Sequence, residues 1–328
     1  MMTIRKTLII VSVLLLSPTF VTQLTAASEE KLSDAIRLYG KGSFRQAVEI
    51  LRREAKEFPR EAEIRFWLGK AYLKVQDWKA AVTELENAVD LEPSNARYRQ
   101  WLGRASGERA SRAFITTAYS MARQVVREFE TARRLSPKDL GIRFDLLEYY
   151  LQAPGMVGGG RDKAEAEAQT IAEIDRQKGY TAQATIYRKD KQLDKAQEEL
   201  LQATREFPES AAACEDLADY LFARQDYEGA LQWSRKALTL DPELNYSLFV
   251  AAASATRLNR DLETAAGELQ KLADGTLSDD DPTFEQVYYQ IGENHLARGD
   301  TAKAKAAFQT ALSYNPEYSR AKEALKKL

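Results

Sequence analysis

Six of the nine prolines in this chain of 328 residues are spaced as regular punctuation, and no other feature restricts its fold so strongly. Pro59, Pro93, Pro137, Pro208, Pro242 and Pro316 each close an Ala-rich amphipathic stretch. Two of the intervals are 34 residues, and the others (44, 71 and 74) are one or two such periods with short additions. A unit of this size cannot bury its own apolar face, so successive units must stack into a solenoid instead of folding around one central core. Such a chain reads as a binding scaffold.

The segment from Ala62 to Asn95 shows what the period encodes. Leu68, Gly69 and Tyr72 share one helical face; after a turn at Gln76-Asp77, Ala81, Leu85 and Ala88 share another. Gly69 and Ala81 are small where two helix axes must approach, and Tyr72 and Leu85 fill the space between them. Pro93 ends the second helix, because it has no N–H to donate and its ring clashes with the preceding turn.

This pattern resembles the tetratricopeptide repeat. The same offsets carry Leu217, Ala218, Leu221, Ala230, Ala237 and Pro242, then Ile291, Gly292, Ala304, Phe308, Ala311 and Pro316. Weaker units hold Ala35, Ala47, Leu51 and Pro59; Leu102, Gly103, Val125, Phe129, Ala132 and Pro137; and Ala184, Tyr187, Ala196, Leu200, Ala203 and Pro208. Two degenerate units surround Leu146, Tyr150 and Ala164, and Ala253, Ala265 and Leu269. The resemblance implies an all-α, right-handed superhelical solenoid of about eight helix pairs over residues 28–328, with a capping helix near 319–328. It also implies about one superhelical turn. His295 stands at a family Tyr position, Ser234 replaces a large apolar residue, and the seventh unit has no closing proline before Pro282. Less regular packing is expected there.

The first residues address location. Arg5 and Lys6 precede the apolar run Leu8 to Leu16, and Thr25-Ala26-Ala27 offers small residues for cleavage, so residues 1–27 read as a secretory signal peptide with the mature chain starting near Ser28. The apolar run is short for a membrane span, and no second one follows, so no transmembrane span is expected in the mature chain. Cys214 is the single cysteine, which forbids an intramolecular disulfide and suits a periplasmic location. With 47 basic against 49 acidic residues, no global field favours nucleic acid.

Catalytic chemistry has little to work with. One histidine and one cysteine cannot build a His-based metal cage, a Ser-His-Asp triad or a Cys-His dyad in any evident way, so neither enzyme activity, metal nor cofactor is expected. His295 and Cys214 read as packing residues, and Glu215 with Asp219 as a solvated helix face. Gly158-Gly159-Gly160 invites comparison with a phosphate loop, but no strand precedes it and no Gly-Lys-Ser/Thr follows; an irregular turn is the simpler reading, with several N–H groups that could face a ligand.

Two surfaces are candidates for binding a protein or peptide. The third unit carries about ten extra residues between its helices, near 107–120, and the fourth about five, within 153–160. Corresponding turns of adjacent repeats line one edge of a solenoid, so these insertions should touch, presenting Phe114, Ile115, Tyr119, Met156 and Val157. In this the chain is similar to a subgroup of exported bacterial repeat proteins. Family geometry implies a second surface, the concave groove, lined by Phe66, Lys70, Lys74, Gln100, Arg104, Phe144, Glu148 and Arg188, with Thr185, Glu215, Asp219 and Phe222 beyond. The function expected is an exported, non-enzymatic interaction scaffold, with a cell-envelope complex as a candidate setting and a periplasmic small-molecule or lipid-binding protein as the alternative.

Overall fold

The structure is a computed structural model that describes residues 18–328. The greater part of the expected signal peptide, residues 1–17, lies outside the described residues. The described residues form α1 (Pro18–Gly40), α2 (Phe44–Glu57), α3 (Ala62–Lys74), α4 (Trp78–Leu91), α5 (Ala96–Ser111), α6 (Ile115–Leu135), α7 (Leu140–Gln152) and α8 (Arg161–Ile174). They continue as α9 (Arg176–Lys189), α10 (Leu193–Glu206), α11 (Ala211–Ala223), α12 (Tyr227–Leu240), α13 (Asn245–Arg257), α14 (Leu262–Asp274), α15 (Phe284–Ala297), α16 (Thr301–Tyr314) and α17 (Ser319–Lys326). One 3₁₀ turn, Gly155–Val157, sits between α7 and α8. The first sixteen helices pack as eight consecutive pairs, each against the next, and α17 covers the last.

Local chemistry repeats with the pairs. Asp77, Asp139, Asp175, Asp226 and Asp300 each accept a hydrogen bond from a backbone N–H three residues on, satisfying a first-turn donor that the helix itself leaves unpaired. The turn inside most pairs contains a residue in the left-handed region: Gly42, Gln76, Lys191, Gln225, Asn259 (with Asp261 in the same turn) and Gly299. That conformation ends the first helix and folds the chain back, as where Asp77 N–H donates to Tyr72 O at 3.0 Å. Between the helices, a Cβ on Gly69 would stand 2.6 Å from Leu85, one on Gly103 2.5 Å from the Phe129 ring and one on Gly292 2.4 Å from Phe308. The small residue of the motif is therefore required by contact.

The 107–120 insertion is not a loop, contrary to the expectation from spacing. Its residues lengthen the two helices of the third pair, so that α5 has 16 residues and α6 has 21, against 13 or 14 in the plain pairs α3–α4 and α9–α10. Only Arg112 to Phe114 lie between them. The segment contains no proline and is rich in Ala, so continuing the helix costs less than leaving its backbone unpaired.

The groove also differs from the open trough expected. Residues 275–283, between α14 and α15, reach across the solenoid to its first repeats. Leu277 N–H donates to Gly40 O at 2.8 Å, Tyr39 OH donates to Asp279 at 2.6 Å, and Lys41 Nζ donates to Asp274 O at 2.8 Å. Phe44 at the start of α2 meets Phe284 and Tyr314 edge-on, and those two rings stack on each other at 5.1 Å. Gln76 donates to Asn315 at 2.8 Å. The first and last pairs thus meet, and the solenoid closes on itself.

Candidate binding cavity

Closure leaves a half-open cavity of about 1130 Å³ on the inner side. Its floor comes from α5, α6 and α7, which contribute Trp101, Arg104, Phe129, Asp145, Glu148 and Tyr149. Its rim comes from Gln76 and Trp78 at the α3–α4 turn, from Arg112 at the tip of α5, from Pro154 and Val157 of the second insertion, and from the 275–283 loop.

Charge on the floor is concentrated in α5 and α7. Arg104 Nε pairs with Asp145 at 2.8 Å, and Gln100 Nε2 donates to the same carboxylate at 2.7 Å. Burial nevertheless outweighs these partners and pushes the Asp145 carboxyl up from the ordinary range. Glu148 lies one turn further along α7; burial, then the charge of Asp145, push its carboxyl up as well. At the rim, Arg112 pairs with Glu108 at 2.6 Å and its guanidinium sits 4.2 Å from the centre of the Trp78 ring. The cavity accordingly presents aromatic faces beside both signs of charge.

Of the residues expected to line the groove, Lys74, Arg104 and Glu148 do line this cavity. Phe66 and Lys70 are buried instead, a correction to their placement on an open face. Phe66 is 1% exposed and stacks on Tyr98 at 4.8 Å. Lys70 is held between the Trp67 and Trp101 rings, at 4.2 and 4.3 Å, with its ammonium 2.5 Å from Asp279. Lys74 reaches the same carboxylate at 3.3 Å. Gln100 is buried beneath Asp145, Phe144 is half-buried against the core around α6 to α9, and Arg188 is exposed on α9, outside the cavity lining.

The two insertions touch. Tyr119 OH donates to Met156 O at 3.0 Å, and the Tyr149 hydroxyl lies 2.7 Å from both Ala122 O and Val157 O, tying α6, α7 and the 3₁₀ turn together. Val157 is 4% exposed and packs inward, so it is not part of an open apolar edge; Phe114 and Met156 project outward, Tyr119 is partly exposed, and Ile115 opens α6. The triple glycine does not form an anion cradle. Gly158 and Gly159 N–H groups donate to the Gly155 and Pro154 carbonyls within the loop, and Gly160 N–H donates to Tyr150 O in the last turn of α7. Gly158 is needed for its φ of 98°, and a Cβ on Gly159 would fall 1.8 Å from Ala153 O.

Part of the expected groove (Lys74, Arg104, Glu148) and part of both insertions (Arg112, Pro154, Val157) therefore line one cavity, whereas Phe114, Tyr119 and Met156 lie outside its lining. Sequence reasoning passed over Asp279, Tyr39, Trp78, Trp101 and Tyr149. The signal for Asp279 was the proline missing from the seventh unit, whose place is taken by a long connection carrying Ser278-Asp279-Asp280-Asp281.

Three sequence models of the tetratricopeptide repeat match, over residues 29–105, 181–245 and 285–318, together more than half of the chain. Among solved structures, yeast Tom70 is similar with a TM-score of 0.56 and 17% identity, over 88% of this chain and 58% of that one. The chain thus spans less than two thirds of that protein. A thermophilic tetratricopeptide protein of Thermus thermophilus gives a TM-score of 0.43 and 18% identity, over 70% of this chain and 98% of that one. The Cut9–Hcn1 hetero-tetramer of APC/C gives 0.48 and 15%, over 94% and 57%. No curated protein matches the chain.

Proposed function

The chain belongs to the tetratricopeptide-repeat family, and we propose that it is an exported, non-enzymatic interaction scaffold that takes a short segment of a partner protein into the cavity between α5, α6 and α7. Proteins of this fold commonly mediate protein–protein interactions. The observation that carries the reading is the convergence on one cavity of groove residues (Lys74, Arg104, Glu148) with both insertions. Its volume lies above the ~300–1,000 Å³ typical of small-ligand sites. Trp78, Trp101 and Tyr149 offer rigid aromatic contact, and the Arg104–Asp145 pair and Glu148 offer polar groups that fix orientation. Because the 275–283 loop covers Lys70 and the start of the groove, the partner enters as a short segment instead of running the length of the solenoid.

Affinity capture from a cell-envelope extract, comparing the natural chain with an Arg104→Glu/Glu148→Lys variant, tests this reading. A polypeptide enriched by the first and lost by the second supports it. Equal enrichment by both, or a co-purified small molecule displaced by the same variant, overturns it. Export rests on Arg5, Lys6, the apolar run and Thr25-Ala26-Ala27. Amino-terminal sequencing should find a mature start near Ser28, and an intact Met1 terminus on a cytoplasmic pool would refute export.

A further inference from the structure

The long helices of the third pair carry a feature that the cavity does not use. Between Glu108, which pairs with Arg112 at the cavity rim, and Glu128 the chain has three further arginines (Arg109, Arg123 and Arg127) and no Asp or Glu, although acidic residues slightly outnumber basic ones in the chain as a whole. At the centre of this stretch, the α5–α6 turn ends in Phe114, which is 89% exposed. Met156, on the neighbouring 3₁₀ turn, is 68% exposed. These are the two most exposed large apolar side chains among the described residues. Tyr119 connects them: its hydroxyl donates to Met156 O at 3.0 Å, and it follows Phe114 by about one and a half turns of α6.

Arginines border this tip. Arg123 lies 5.0 Å from the Tyr119 ring centre and is exposed, and Arg127 follows one turn later on the same face, also exposed. Arg161 and Lys163 open α8 directly after the second insertion, but Arg161 is already paired with Glu165 and Asp190, and Lys163 Nζ donates to Gly158 O at 2.8 Å, so Arg123 and Arg127 supply the charge beside the tip. The apolar side chains protrude from a convex helix end instead of lining a groove. A protein partner would need a matching pocket for each, whereas a lipid interface accepts separate projecting side chains and sets headgroup charge beside the arginines.

We propose that this tip, formed by Phe114, Tyr119 and Met156 with Arg123 and Arg127 behind them, docks the scaffold on an anionic lipid surface. The apolar side chains enter the headgroup boundary and the guanidinium groups meet phosphate. The rest of the described chain needs no span for this, and no described helix is long and apolar enough to cross a membrane. The inference does not depend on the cavity's ligand.

Sedimentation of the full chain with vesicles tests it, using phosphatidylglycerol mixed with phosphatidylcholine against phosphatidylcholine alone. The apolar run near the amino terminus could hold the chain on either vesicle, so the readout is the difference between the two. The natural chain should bind the anionic vesicles at least about tenfold more tightly, and the preference should shrink as salt is raised. Phe114→Asp with Met156→Asp, and separately Arg123→Glu with Arg127→Glu, should each remove most of the preference while leaving the helical circular dichroism spectrum unchanged, since these side chains are exposed. Absence of the preference in the natural chain would overturn the proposal. So would its persistence in both variants, or self-association of the chain that the first variant abolishes in the absence of vesicles.

Discussion

The contacts inside each repeat and the seam where the first repeats meet the last are both interfaces of one chain, yet they are built from different chemistry. Inside the pairs, a glycine faces a large apolar side chain, as Gly103 faces Phe129 and Gly292 faces Phe308, and the fit is steric. At the seam, Asp279 gathers Tyr39, Lys70 and Lys74 around one carboxylate, with Lys70 enclosed by Trp67 and Trp101. A steric interface recurs wherever the motif recurs. An ionic one holds only where both partners are present, and it specifies which surface closes on which.

The largest difference between the two should appear on removing one partner of the seam. Asp279→Ala leaves the Lys70 ammonium, whose side chain is only 7% exposed, without its counter-charge, and breaking a buried pair in this way costs about 3–5 kcal/mol. The seam should open, seen as a larger radius of gyration in small-angle scattering with helix content retained. Lys70→Met removes the buried charge instead and leaves Asp279 with Lys74 and Tyr39, so it should destabilise much less. Equal effects of the two substitutions would show that the seam is not held by this asymmetry.

Overpacking a repeat contact comes next. Gly103→Leu drives a side chain into the Phe129 ring and should cost about 1–3 kcal/mol. Its effect should be a lower thermal midpoint with no change in the compactness of the folded chain, the reverse of the seam substitution. A smaller loss, about 0.5–1.5 kcal/mol, is expected for Tyr149→Phe, which removes a hydroxyl held between Ala122 O and Val157 O. Hydrogen exchange should then quicken in the second insertion while α11 to α13 stay protected.

Acid should give the smallest change near neutrality, and with opposite signs in the two regions. Burial alone would raise the Asp279 carboxyl, but Lys70 and Lys74 more than offset it and hold it below the usual carboxylate range. Its contribution is therefore present above the unfolded value of about 4 and is lost only as the pH falls further, through the lower folded value. Burial pushes Asp145 up, and burial with the charge of Asp145 pushes Glu148 up, so their ionised forms oppose folding at neutral pH, and protonation as the pH falls relieves that cost. Scattering and thermal melts followed from about pH 7 to 3 should show the seam intact down to about pH 4 and weakening only below it. Opening between about pH 7 and 5 would contradict the arrangement around Asp279.

The same division explains what could be read in advance. Helix pairing, the turns at Gln76 and Gln225 and the close contacts of Gly69, Gly103 and Gly292 are local or lie within one repeat, and each leaves a periodic trace. The contact between the insertions was legible too, because adjacent repeats put equivalent turns side by side. Burial of Phe66 and Lys70 was not, since the residues that cover them come from elsewhere in the chain.

By itself the amino-acid sequence determined the all-helical repeat and its stacking in pairs, since these follow from side-chain period, proline spacing and helix termination over a few tens of residues. Only the tertiary structure decided that the solenoid closes, that Asp279 occupies Lys70 and Lys74, and that parts of the groove and of both insertions share one cavity. Those contacts join residues far apart in the chain, as Tyr39 to Asp279, 240 positions away, and their geometry depends on a small rotation added at every repeat, which no single unit reveals.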